Sequence, residues 1–384
     1  MGSEGGHVQN AIYVAGESPW PIAAAEWEAR AAEKLEPGPF DYIAGGAGSE
    51  ATMRANLKAF ERRRLRPRML AGTAERDLSV EVLGTRSPAP FFLAPIGVLS
   101  IAHEDGEVGV ARAAAATGVP MLLSSAASHT IEEAAEAMGD APRWFQLYWV
   151  NDREVAISLV RRAEASGYGA LVVTLDTMTL GWRPRDLAKG YLPFLGGEGC
   201  AQFFSDPVFR SRLAQPPEED PLGAAVAMLQ TFPNLGLTWD GLSWLRGQTE
   251  LPLLVKGILR GDDAVLAREA GADGVIVSNH GGRQVDGAVA ALDALVEVRD
   301  ELGPEAVVLM DGGIRGGSDV LKAVALGADA VLLGRPYAYG LAVGGQEGVE
   351  AVIRHLMADT DLTLALIGAR RPGDLDRTWI AASS

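Results

Sequence analysis

A short apolar run recurs eight times along this chain, each time followed by helical spacing, and no other feature constrains the fold as tightly. The runs are Pro90–Pro95, Pro120–Ser124, Trp144–Tyr148, Ala170–Asp176, Pro252–Lys256, Gly274–Ser278, Ala306–Asp311 and Ala330–Arg335. None alternates strictly between apolar and polar residues, which suits parallel strands buried on both faces. Between them lie amphipathic helices such as Arg153–Ser166 and Asp262–Ala270. Gly271-Ala272-Asp273-Gly274-Val275 and Gly327-Ala328-Asp329-Ala330-Val331 repeat one helix-to-strand turn, in which glycine ends the helix and aspartate precedes the strand. A doubly wound open sheet shares this periodicity. The count of eight favours a closed (β/α)8 TIM barrel of the α/β class. So does the position of Ser124, Gln146, Tyr148, Thr174, Asp176, Lys256, His280, Asp311 and Arg335 at C-terminal strand ends, where such barrels carry their chemistry.

Two regions fall outside the repeat. Residues 1–75 hold helical patterns at Ala23–Lys34 and Ala51–Arg62 and are expected to form a cap. Residues 184–240 form a long insertion after the fourth strand, with Gly196-Gly197-Glu198-Gly199 and Pro216-Pro217. A connection of that length reads as a lid or mobile loop, with an irregular surface loop as the plainer alternative. The expectation is one domain over 1–384, with the barrel across 90–370.

A net charge of -16 and a pI near 4.8 argue against nonspecific binding to nucleic acid or to anionic membrane. Cys200 is the single cysteine, which rules out an internal disulfide and a cysteine-rich metal site, and no metal is expected. The N-terminus lacks the pattern of a signal peptide, and no apolar run reaches the length of a membrane span. A cytoplasmic location is expected.

The chemistry concentrates in Ser278-Asn279-His280-Gly281-Gly282-Arg283-Gln284, at the end of the sixth run. There an imidazole and a guanidinium stand beside glycines that let backbone approach a ligand. A lone histidine is ordinarily a core residue, but the company of Asn279 and Arg283 tilts His280 toward catalysis. Asp311-Gly312-Gly313-Ile314-Arg315 and Gly334-Arg335-Pro336 follow the seventh and eighth runs. Exposed amides, helix N-termini and two arginines there make an anion cradle, where barrels often hold phosphate. Lys256 closes a buried strand, so it is either ion-paired or opposed to negative charge on a bound cofactor ring, the second being favoured. Asp176 is either a helix cap or the partner that orients His280. Arg183 and Arg185 are either surface charges or groups that reach back over the barrel mouth.

Together these motifs resemble the FMN-dependent L-α-hydroxyacid oxidases and dehydrogenases, a family that includes glycolate oxidase, lactate oxidase, lactate 2-monooxygenase and mandelate dehydrogenase. The resemblance runs from about Phe40 to Gly368. It implies His280 as the base and Asp176 as the group that stabilises its charged form. It implies Arg283, Tyr42 and Arg183 around the substrate carboxylate and Tyr148 at the hydroxyl. For FMN it implies Ala94, Pro95, Ile96, Ser124, Gln146 and Thr174 around ring and ribityl, Lys256 at the electron-rich ring edge, and Ser278 and Asp311 along the ribityl chain. Gly313, Arg315, Gly334 and Arg335 would hold the phosphate.

Gly181-Trp182-Arg183-Pro184-Arg185-Asp186-Leu187, Arg76-Asp77-Leu78-Ser79-Val80-Glu81 and Ser205-Asp206-Pro207-Val208-Phe209 look most like lactate 2-monooxygenase. Ala126 departs from the family's larger residue at that point and implies a roomier pocket. The insertion also looks shorter than the monooxygenase's. The resemblance implies oxidation of a small L-2-hydroxy acid with O2 as acceptor, ending in H2O2 release or oxidative decarboxylation, in a tetramer or octamer. A non-oxygen acceptor is the alternative.

Overall fold

In the computed structural model, which describes residues 4–381, eight parallel strands close on themselves. They are β1 (Phe91–Leu93), β2 (Met121–Ser124), β3 (Arg143–Tyr148), β4 (Leu171–Thr174), β5 (Leu253–Ile258), β6 (Gly274–Val277), β7 (Val307–Asp311) and β8 (Ala330–Leu333). β8 pairs with both β1, at Val331–Phe91, and β7, at Ala330–Leu309, which removes the open-sheet alternative. Residues 1–3 and 382–384, part of the expected cap and domain, lie outside the described residues.

Each apolar run serves two cores. Phe92, Leu122, Trp144, Val172, Leu254, Ile276, Leu309 and Leu332 fill the barrel interior. Their neighbours Phe91, Leu123, Phe145, Val173, Val255, Val275, Val308 and Val331 pack outward on the helices. A β-strand sends successive side chains to opposite faces, so double burial leaves no polar alternation in the sequence. A hairpin of Val80–Val82 and Thr85–Ser87 stoppers the N-terminal end. Its Val82 joins the interior core, and Thr85 Oγ1 accepts a 2.9 Å bond from the Trp144 indole N–H.

The repeated Gly-Ala-Asp phrase is a two-sided staple. Asp273 donates its amide to the Leu253 carbonyl and accepts the Leu253 amide on its carboxylate, at 2.7 and 2.8 Å. Asp329 does the same with Val308, at 2.8 and 2.7 Å. Arg246 and Arg299 complete the two staples as ion-pair partners, at 3.1 and 3.0 Å. A Cβ on Gly271 or Gly327 would fall 2.8 or 2.6 Å from the arginine Cγ, so these glycines clear the arginine stems.

The cap contains Glu4–Ala15, Ala24–Lys34, Pro37–Ala44 and Ala51–Arg62. The first and third escape a reading by periodicity. Asn56 fastens the last to the mouth through a reciprocal pair of 2.8 Å amide bonds with Asn279. The 184–240 insertion is a set of short packed helices, including Pro184–Lys189, Ala201–Phe204, Pro207–Arg210 and Pro221–Thr231. It buries Phe194, Cys200, Phe203, Phe209 and Met228. Asp206 caps one of these helices and accepts from Ser158 at 2.7 Å, which ties the insertion to Arg153–Ala165. Among the described residues, no helix is long and apolar enough to cross a membrane.

Candidate active site

Three consecutive residues after β6 take the left-handed backbone region: His280 at φ 57°, Gly281 at 63° and Gly282 at 78°. For a histidine this is strained, and such strain gathers at functional sites. Asn279 holds the turn by accepting the Gly282 amide at 3.1 Å. A Cβ on Gly282 would lie 2.6 Å from the Met53 amide nitrogen, so the cap helix and the turn meet only across glycine.

The turn presents the His280 ring to β4 and β3. Nδ1 lies 2.8 Å from Asp176 Oδ1 and 3.2 Å from Thr177 Oγ1. Nε2 lies 3.3 Å from the Tyr148 hydroxyl. The partners assign the tautomer: Nδ1–H donates to the carboxylate and the Nε2 lone pair faces the cavity. Burial, with the Lys256 and Arg183 cations nearby, outweighs Asp176 and holds the imidazole below its usual value. Burial works to raise the Asp176 carboxyl, but His280 and Lys256 overcome it and keep it below the usual carboxylate range. Burial and Asp176 push the Tyr148 phenol well up. Near neutral pH the arrangement is therefore carboxylate, neutral imidazole and neutral phenol.

Asp176 has its place because of Gly257. β5 is irregular between Lys256 and Ile258, and Gly257 adopts φ 109°. A Cβ there would lie 2.7 Å from the Asp176 Cβ. Asp176 Oδ2 is buried without a hydrogen-bond partner. A carboxylate so poorly solvated has much to gain from a charged imidazole beside it.

Across the cavity, Arg183 and Arg283 converge on Tyr42. Their guanidinium carbons stand 6.0 and 4.9 Å from its ring centroid. Arg283 donates to the Gly45 carbonyl at 2.9 Å, and Arg183 to the Arg283 carbonyl and to Gln284 Oε1, both at 3.1 Å. Among the described residues, neither forms an ion pair with a carboxylate. Burial, then the Arg183 charge, pulls the Arg283 guanidinium down to about 9, which still leaves it cationic at neutral pH. The Asp186 carboxylate acts on both without an ion pair to either, and the two guanidiniums on the cavity wall make an anion site. Arg185 instead pairs with Glu50 and Asp41 outside the cavity, so the choice between the two arginines falls on Arg183.

The same cavity runs on past Ala94, Pro95 and Ile96 to Gly312, Gly313, Arg315 and Gly334. Lys256 stands at its wall and also forms a 2.9 Å ion pair with Asp311, the first of the readings weighed for it. Burial disfavours the charged Lys256, but Asp311 and Asp176 outweigh it. Ser278 Oγ accepts from Lys256 at 2.8 Å and donates to Asp311 at 2.7 Å. At the far end, a Cβ on Gly334 would meet nothing nearer than Ala94 Cβ at 3.9 Å, so bare backbone faces the cavity. The helices Gly317–Ala325 and Arg335–Ile367 both begin there, although the Asp319 and Asp359 carboxylates take the Gly316 and Gly317 amides at the start of the first. An apolar slot with a cation beside it and an anion cradle at its end fits a flavin mononucleotide.

Not every expected residue touches this space. Ser124, Gln146 and Thr174 lie beneath the floor in a chain of bonds, Ser124 to Gln146 at 2.9 Å and Gln146 to Thr174 at 2.8 Å. The Arg335 guanidinium is taken up by the carbonyls of Ile43, Gly45 and Gly281. What Arg335 offers an anion is the start of its helix. The insertion packs close to the Ala126 backbone, since a Cβ on Gly199 would lie 2.7 Å from the Ala126 carbonyl oxygen and 2.8 Å from the Phe194 ring, while Ala126 itself lines the cavity. Thr177, Gly257, Gln284, Phe194 and Phe232 escaped the sequence reading as site residues. Gln284 closes the recognised Ser278–Gln284 motif and Thr177 adjoins Asp176, but Phe232 sits far from any strand end and carries no local signal.

Comparison with known proteins agrees with this geometry. The family described as FMN-dependent dehydrogenase matches residues 31–382. The chain belongs to that family. It is 45% identical over 353 residues, 91% of this chain and 88% of the other, to an FMN-dependent alpha-hydroxy acid dehydrogenase of Penicillium citrinum. It is 40% identical over 355 residues to an L-lactate oxidase of Lysinibacillus sphaericus, covering 92% of this chain and 91% of that one. A crystal structure of mandelate oxidase superposes with a TM-score of 0.82 at 38% identity, over 92% of this chain and 96% of that one. A chimera of (S)-mandelate dehydrogenase gives 0.85 at 36% identity, over 94% and 99%. As a member of the FMN-dependent dehydrogenase family, the protein uses FMN to oxidise an α-hydroxy acid.

Proposed function

We propose that this family member oxidises a small, lactate-like L-2-hydroxy acid to the 2-oxo acid, with O2 as the final electron acceptor. One observation carries the reading: a neutral, carboxylate-backed imidazole and two guanidiniums with no ion-pair partner among the described residues face the same cavity. Arg183 and Arg283, with Tyr42, take the substrate carboxylate. Its hydroxyl lies between Tyr148 and His280. His280 accepts a proton at Nε2, and Asp176 on Nδ1 stabilises the imidazolium, a contribution of about 10²–10⁴ in rate for a positioned general base. Bound FMN supplies the two-electron acceptor for the α-carbon. Ala94, Pro95, Ile96 and Lys256 would line its ring, with Ser124, Gln146 and Thr174 beneath. Ser278 and Asp311 would meet the ribityl chain, and Gly313, Arg315, Gly334 and Arg335 the phosphate.

An aromatic wall of Tyr148, Phe232 and Phe194, with neighbouring centroids 4.9 and 6.2 Å apart, supports a small substrate side chain. The L-lactate oxidases among its relatives support lactate and O2. Oxygen and the reducing equivalents make H2O2. If the product stays under the packed insertion, H2O2 and the 2-oxo acid yield the shortened acid, CO2 and water. An acceptor other than oxygen is the second reading, favoured by the relatives named dehydrogenases. Incubation with a panel of L-2-hydroxy acids under air, with oxygen uptake, 2-oxo acid, H2O2 and decarboxylated acid assayed together, tests the proposal. Reduction of the flavin without oxygen uptake would favour the second reading.

A further inference from the structure

We propose that Gln284 is a positioning residue that sets the carboxylate-binding arginines in register with the base. The inference rests on the functional reading above. Gln284 does not line the cavity, and it uses its whole carboxamide on the loop that follows β4. Nε2 donates to the carbonyls of Asp176 and Thr179, at 2.8 and 2.9 Å. Oε1 accepts from the Gly181 amide at 3.2 Å and from Arg183 at 3.1 Å. Two donors and two acceptor sites are thereby all satisfied, which no carboxylate or thioether at this position can reproduce.

The loop is pressed onto the β6 turn as well as bonded to it. A Cβ on Gly181 would lie 2.5 Å from the Arg283 carbonyl oxygen and 2.7 Å from that of Gln284. Arg183 adds a bond from Nε to the Arg283 carbonyl. One end of this loop is Asp176, which orients His280, and the other is Arg183. Gln284 itself follows Arg283. A single amide therefore fixes the separation between the groups that hold the substrate carboxylate and the group that takes its proton. Misplacement of reacting groups by a fraction of an ångström is costly in rate, and this lock lies outside direct contact with substrate.

The test uses the FMN-loaded protein, with anaerobic flavin reduction by L-lactate followed against concentration and pH. In Gln284→Met, half-saturation should need about tenfold to a hundredfold more L-lactate, the loss expected when a hydrogen bond to a charged group goes. The limiting rate should fall less, and FMN should stay bound. Arg183→Met with Gln284→Met should raise half-saturation by less than the product of the two single effects, because part of the Gln284 effect runs through its bond to Arg183. Gln284→Glu places a negative charge beside Asp176 and should move the acidic limb of the rate profile to higher pH by favouring the imidazolium. Additive losses in the double variant, or a methionine variant with unchanged saturation, would overturn the proposal. So would FMN loss in both Gln284 variants, which marks a merely structural role. A wild-type protein that L-lactate and other L-2-hydroxy acids fail to reduce defeats the functional reading first, and this inference with it.

Discussion

At the scale of residues, the site turns on one proton. His280 is kept neutral by burial, and Asp176 waits on its other nitrogen with one oxygen unsolvated. Removing the imidazole in His280→Ala should abolish flavin reduction by hydroxy acid while FMN stays bound, checked by flavin absorbance before and after substrate. The pH dependence follows from the depressed value. With His280 in its proposed role as base the active form is unprotonated, so reduction should hold as pH falls through the ordinary histidine range and decline only below it. A decline that begins above pH ~6.5, the unperturbed histidine value, would contradict this. Arg283→Met removes a cation proposed to take the substrate carboxylate. It should weaken substrate saturation by about 1.5–3 kcal/mol, a charge-assisted bond's worth, while the apo-protein melts at the same or a higher temperature because a desolvated charge without an ion-pair partner among the described residues has gone.

At the scale of elements, the strand ends place the chemistry, and glycines decide how closely they approach. Gly257→Ala forces a side chain into φ 109° and against Asp176. It should cost about 1–3 kcal/mol of stability by strain, seen as a lower melting temperature, and impair flavin reduction with FMN still bound. The barrel strands were legible because doubly buried runs are continuous in sequence. The Ser278–Gln284 motif was legible because its polar residues interrupt such a run. The Gly-Ala-Asp repeat was visible as a turn, but its staple depends on Arg246 and Arg299, each one β/α unit earlier in the chain. Lys256 illustrates the limit: sequence marks a costly buried cation, while the ion pair with Asp311 joins two strands that only the closed sheet brings together. The Asn56–Asn279 pair and the Gln284 lock are likewise contacts between distant segments, with no periodic trace.

At the scale of the whole molecule, barrel, cap and insertion each supply part of one cavity. Tyr42 comes from the cap, His280 and Arg283 from the barrel, and Phe194 and Phe232 from the insertion. A long connection with little periodic pattern reads as loose, yet this one is packed over Phe203, Phe209 and Met228. Phe232→Ala should therefore widen the substrate range toward larger hydroxy acids and raise the share of H2O2 over decarboxylated acid, read from the product ratio under air. The claim that joins these parts is that this cavity oxidises a hydroxy acid against bound FMN. Anaerobic titration of the FMN-loaded protein with L-lactate tests it most directly. Loss of oxidised-flavin absorbance with matching formation of the 2-oxo acid, absent in His280→Ala, is the predicted result. Absorbance unchanged by L-lactate and by every other L-2-hydroxy acid, or undiminished reduction in His280→Ala, would contradict it.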